Sequence, residues 1–70
     1  MIEFDLPVAV SVQVTVYNIL GQRVATLVDN EMEAGQHRVN FDGSRFASGL
    51  YFYRLVAGKF IETRKMILLK

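Results

Sequence analysis

The chain has 70 residues, one proline and no cysteine, and 51% of it is apolar. Disulfide staples and thiolate metal sites are excluded, a disordered tail is disfavoured, and enough apolar side chains remain for one unstapled core. Net charge is +1, yet residues 1–42 carry −4 and residues 43–70 carry +5. Such a division marks either a basic partner-binding end or antiparallel strands from the two halves that pair and mix their charges.

The length fits one domain over residues 1–70. The longest apolar runs are a few residues, far short of the ~20 that span a bilayer, so no transmembrane segment is expected. No cationic-then-apolar start resembles a signal peptide. Any export signal is expected in a longer parent protein from which this domain is taken.

Period-two patterning dominates from the first residues. Ile2, Phe4 and Leu6 alternate with Glu3 and Asp5, which predicts a strand stopped by Pro7. Val10, Val12, Val14 and Val16 alternate with Ser11, Gln13, Thr15 and Tyr17, the clearest strand signal in the chain. Asn18–Gln22 reads as a turn, with Asn18 and Gly21 as its motif residues and Gly21 at positive φ. Arg23–Val28 is a third strand, and the polar Asp29–Gly35 reads as a surface loop. Gln36–Phe41 is a fourth strand. Asp42-Gly43 signals a turn in which the Asp side chain bonds backbone amides.

Gly49 then lets the chain enter an aromatic strand, Leu50–Val56, closely packed. Tyr51 and Phe52 sit within it, and its two faces are both apolar, which predicts a central strand covered on both sides. Phe52 is expected to be central to the core. Ala57-Gly58 suits a tight hairpin. The last strand starts near Lys59; its parity breaks at Phe60-Ile61 and again over Met66–Leu69, which predicts a bulge near Arg64-Lys65. Six to seven short strands with turns between them predict an all-β protein, an antiparallel immunoglobulin/fibronectin III-like β-sandwich.

Candidate chemistry is sparse. His37 has no second His, Cys or close carboxylate pair beside it in sequence and reads as a solvent-facing strand residue, not a ligand. Ser11, Ser44 and Ser48 lie on no nucleophile elbow, so a Ser-His-Asp arrangement with His37 and Asp42 is not supported. No glycine pattern cradles phosphate. Tyr51, Phe52, Tyr53 and Arg54 have the composition of a nucleic-acid platform, but successive strand residues point to opposite faces. A non-catalytic chain is expected, with no cofactor, no metal and no nucleic-acid partner.

Three segments carry a family resemblance: Leu6–Val28 (LPVAVSVQVTVYNILGQRVATLV), Ala34–Gly58 (AGQHRVNFDGSRFASGLYFYRLVAG) and Lys65–Lys70 (KMILLK). Their order and spacing resemble the type A C-terminal sorting domain of the type IX (Por) secretion system. The first two also resemble the immunoglobulin-like domain of the flagellar hook-capping protein. The basic-apolar ending fits the sorting family better. Val8-Ala9-Val10 stands where the family often has glycine or asparagine.

The resemblance implies a domain on the end of a secreted cargo protein. The cargo would enter the periplasm by a signal peptide, an outer-membrane translocon would read the folded domain, and a sortase-like peptidase would usually remove it. The cargo would then be extracellular or on the outer cell surface. The candidate recognition residues are Lys65, Met66, Ile67, Leu68, Leu69 and Lys70, with Ile67 and Leu69 filling the core while the strand offers its edge, Lys65 and Lys70. The competing classes are a hook-cap-like or fibronectin-like structural module and a carbohydrate-binding accessory module. The absence of tryptophan weakens the last.

Overall fold

The computed structural model describes residues 2–41 and 43–69, residue 45 by its backbone alone. Its strands are β1 (Ile2–Leu6), β2 (Val10–Tyr17), β3 (Arg23–Met32), β4 (Gly35–Val39), β5 (Gly49–Ala57) and β6 (Phe60–Leu68). A single 3₁₀ turn, Gly43–Arg45, lies between β4 and β5. All pairings are antiparallel, in a two-stranded sheet β1-β4 and a four-stranded sheet β3-β2-β5-β6. The expected all-β sandwich is the observed one.

The alternation of β2 explains the layering. Val12, Val14 and Val16 are 2%, 0% and 0% exposed. β2 is paired on both edges, and its Val12 and Val14 pack against Ile2 and Leu6 of the small sheet. Ile2 and Leu6 come down from β1 and Leu55 comes from β5 to close the core, with Phe4, Leu27, Val28 and Tyr53 packed around it. Of the side chains that alternate out of this layer, Gln13 and Glu3 are exposed, whereas Thr15 is buried at 4%.

Several expectations are corrected. β3 does not stop at Val28 but runs to Met32, with Val10↔Met32 and Val12↔Asn30 in register. Polar Asp29, Asn30 and Glu31 are tolerated because they lie on an open edge strand and are exposed. β4 spans Gly35–Val39, shorter at its end than the expected 36–41. The two-residue hairpin loop is Gly58-Lys59, one position later than expected, and β6 begins at Phe60.

No bulge interrupts β6, whose register against β5 is continuous from Ala57↔Phe60 to Gly49↔Leu68. The irregularities lie instead between β2 and β3, where Val24 and Leu27 are extra residues. The second of these lets neighbouring Leu27 and Val28 both pack on the core.

The aromatic strand is central, between β2 and β6, but only one of its faces is covered. Tyr51 and Leu55 are 8% and 6% exposed, whereas Phe52 is half-buried on the other face, opposite Tyr17 and Lys65. Phe52 is therefore not a core residue. The charges do not mix either. The acidic and basic halves meet along the β2-β5 pairing, and β2 carries no charge. The large sheet is polarised, with Asp29 and Glu31 on the β3 edge and Arg64 and Lys65 on the β6 edge.

This packing sets the order of two substitutions. Leu55→Ala is expected to cost about 2–5 kcal/mol, and Phe52→Ala clearly less, in urea unfolding monitored by circular dichroism. A loss at Phe52 equal to that at Leu55 would place the core on the wrong face of β5.

Candidate functional site: the β6 edge and its supports

The supports of the site are local. Asn18 organises the β2–β3 turn. Its Oδ1 accepts from the Leu20 and Gln22 backbone N–H groups at 2.9 and 3.0 Å, and its own N–H donates to the Gln22 carbonyl at 3.0 Å. Gly21 donates to the Asn18 carbonyl at 3.0 Å with φ of 78°, a conformation that favours glycine. The tip of this turn exposes Ile19 and Leu20.

At the same end of the sheet, near the start of β5, Tyr51 donates its hydroxyl to the Ala47 carbonyl at 2.7 Å. A tyrosine near the start of a strand bonding back a few residues is the corner used by immunoglobulin-like sandwiches. Its ring lies 6.2 Å from Phe46 and 6.5 Å from Phe41, which stack on each other at 5.3 Å. This trio was not foreseen; the signal was an aromatic, Phe46, within an otherwise small and polar loop. Asp42 lies outside the described residues. Gly43 is a packing position, since a Cβ there would overlap the Leu68 side chain. Gly49 opens β5 opposite Leu68, but not by close packing as expected: a Cβ there would meet nothing within 4 Å, and its φ of 150° is what favours glycine.

β6 itself is the outer strand of the large sheet, and its other edge is unpaired. Lys65 is exposed and opposite Phe52; Met66 is half-buried and opposite Tyr51. Ile67, opposite Leu50, is 69% exposed, Leu68 is half-buried, and Leu69 is 83% exposed. The inward pair is therefore Met66 and Leu68, not Ile67 and Leu69 as the sequence reading had it. Lys70 lies outside the described residues. Upstream, Arg64 Nε donates to Glu62 Oε1, and this hydrogen bond, with the carboxylate charge, holds the guanidinium pKa above its ordinary value.

Between the β1 edge and the inner face of β6 runs a groove of about 580 Å³. Phe4 and Leu6 form one wall, Tyr53 and Leu55 the floor, and Phe60 and Arg64 the other wall. His37 is not the solvent-facing residue expected. It is half-buried, its ring 5.5 Å from Phe4, and its Nε2 donates to the Glu33 carbonyl at 2.7 Å. Among the described residues no three His, Cys, Asp or Glu side chains gather as metal ligands. Among them, no helix is long and apolar enough to cross a membrane.

Two antiparallel sheets and a tyrosine corner describe an immunoglobulin-like sandwich. The family model for the secretion system C-terminal sorting domain matches residues 1–69, and the chain belongs to that family. It is a type IX sorting domain, a class that directs export to the cell surface or extracellular space and is not a catalytic family. No curated protein and no solved structure matches the chain.

The tyrosine corner has a measurable worth. Tyr51→Phe keeps the ring cluster and removes one hydrogen bond, so a loss of about 1 kcal/mol is expected. That corresponds to a fall of about 4–8 °C in Tm at this size. An unchanged Tm would mean that the bond to Ala47 is not formed in solution.

Proposed function

We propose that residues 1–70 act as one sorting domain at the end of a larger secreted protein, and that an outer-membrane component of the type IX translocon reads the β6 edge by strand addition. The observation that carries this reading is the composition of that edge. It is unpaired, it exposes Lys65, and it leaves Ile67 and Leu69 69% and 83% accessible. Ordinary edge strands are blunted against such pairing. Backbone hydrogen bonds would supply affinity, and Lys65 and Lys70 would supply register through charge.

On this reading the cargo passes through the periplasm before the outer membrane. A sortase-like peptidase then removes the domain, leaving the cargo released or attached to surface lipopolysaccharide. The domain contributes recognition and no chemistry of its own.

The test separates folding from export. The domain is fused to a reporter in a host that has the pathway, and the Lys65→Glu, Lys70→Glu double variant is compared with wild type. The expected result is a variant that melts like wild type but leaves the reporter in the periplasm. Normal secretion of the reporter would show that these lysines are not read.

A further inference from the structure

Among the described residues, four strand edges are open: β1 and β4 in the small sheet, β3 and β6 in the large one. They are not equally able to pair with themselves. Antiparallel pairing of β1 about Phe4 sets Glu3 opposite Asp5 of a second copy, and centring on either acid sets like on like. Directly opposed like charges destabilise a sheet. β4 has only 5 residues, and β3 is broken by register shifts that twist an edge away from partners. β6 has 9 residues in unbroken register and exposes Phe60, Ile61 and Ile67 by 56%, 54% and 69%.

The backbone direction of β6 follows from its hairpin. The Gly58-Lys59 loop has Gly58 at φ 60°, and no described non-glycine residue has positive φ, which is the type II′ pattern. The turn directs the Phe60 N–H to Ala57, so Phe60, Glu62 and Arg64 bond to β5. Ile61, Thr63, Lys65 and Ile67 then turn their N–H and C=O groups to the open edge.

A second β6, related by a two-fold axis normal to the sheet, must pair residues of the same face. Centring the axis on Glu62, Arg64 or Lys65 opposes like charges. Centring it on Thr63 sets Glu62 opposite Arg64, Phe60 opposite Met66 and Ile61 opposite Lys65, each twice. The Thr63 pair is then of the hydrogen-bonded kind, and the Glu62–Arg64 pairs are of the other kind, in which side chains lie closer. Glu62 and Arg64 already bond within one strand, so the four charges would alternate around a square. The Met66 thioether would cover the exposed Phe60 ring.

We propose that β6 is a self-recognition edge: two copies of this chain pair β6 to β6, antiparallel about Thr63, fixed in register by reciprocal Glu62–Arg64 and Phe60–Met66 pairs. The two large sheets become one sheet of 8 strands. The pairing stands independently of the translocon reading, because it is measured with the isolated chain. It nonetheless covers the same edge, so a self-paired copy could not add a receptor strand there.

Sedimentation of the 70-residue chain from micromolar to millimolar concentration is the primary measurement. Wild type is expected to reach a dimer and grow no further. Glu62→Lys and Arg64→Glu, each alone, oppose like charges at both crossings and are expected to weaken association about tenfold or more. Mixed in equal amounts they restore attraction at both crossings, and the mixture is expected to return to wild-type association. The chain has no cysteine, so Thr63→Cys supplies a second readout. At a Cα separation of about 5.5 Å it is expected to oxidise to a covalent dimer, whereas Thr26→Cys on β3 does not. A wild type that stays monomeric at millimolar concentration overturns the proposal. So do single variants that associate like wild type, a mixture that does not recover, or growth into larger species.

Discussion

Val12, Val14 and Val16 sit in a strand hydrogen-bonded on both edges, and they are the largest fully buried side chains among the described residues. β2 joins the halves of the chain: β3 lies on one side and β5 on the other. Removing water from this row orders the large sheet and gives the small sheet its landing surface. Three consecutive β-branched residues on one face serve this purpose because their restricted χ1 rotamers suit a pleated surface. A face built from valine alone is shallow, so Leu55 and Tyr51 from β5 and Ile2 and Leu6 from β1 supply the bulk. The remaining features sit at the rim of this layer: the Asn18 turn, the Tyr51 corner and the β6 edge.

The sequence reveals the parts of the fold whose causes are local. Pro7 and the strict alternation of β1 and β2 made both strands readable to the residue, and Asn18 with Gly21 announced a turn whose bonds are all within five residues. What stayed hidden depends on neighbours far along the chain. Asp29–Met32 looks like loop because it is polar; it is strand because β2 offers it a ladder and its edge is open. β5 is apolar on both faces, and its sequence does not say which face receives a second sheet. The answer comes from β1 and β4, which pair across more than 25 intervening residues. Likewise the apolar run at Met66–Leu69 suggested a bulge, although plain alternation accounts for it, with Met66 and Leu68 inward and Ile67 outward.

The sequence places the candidate residues on the last strand but does not say which of them face inward. Lys65–Leu68 ends β6 with Leu69 just beyond it; Lys65, Ile67 and Leu69 are exposed, and Met66 and Leu68 rather than Ile67 and Leu69 turn inward. Glu62 carries no sequence signal, because a carboxylate in a strand is ordinary, and Phe60 stands out only as a break in parity. Their meaning appears only when the hairpin fixes which backbone groups of β6 face outward. The polarity of the large sheet adds to this. Its acidic β3 edge and basic β6 edge differ in sign, and only the second is regular enough to accept another strand along its length.

The position of β2 in the order of synthesis has its own consequence. β5 is its second neighbour and comes more than 30 residues later, so on a growing chain β2 waits with one side unpaired. The waiting segment, Val10–Tyr17, is strongly β-forming, uncharged and free of proline and glycine, the profile of an aggregation-prone stretch. A chain interrupted before Gly49 would leave that stretch permanently uncapped. Premature termination within this domain would therefore expose an aggregation-prone strand as well as remove the last strands.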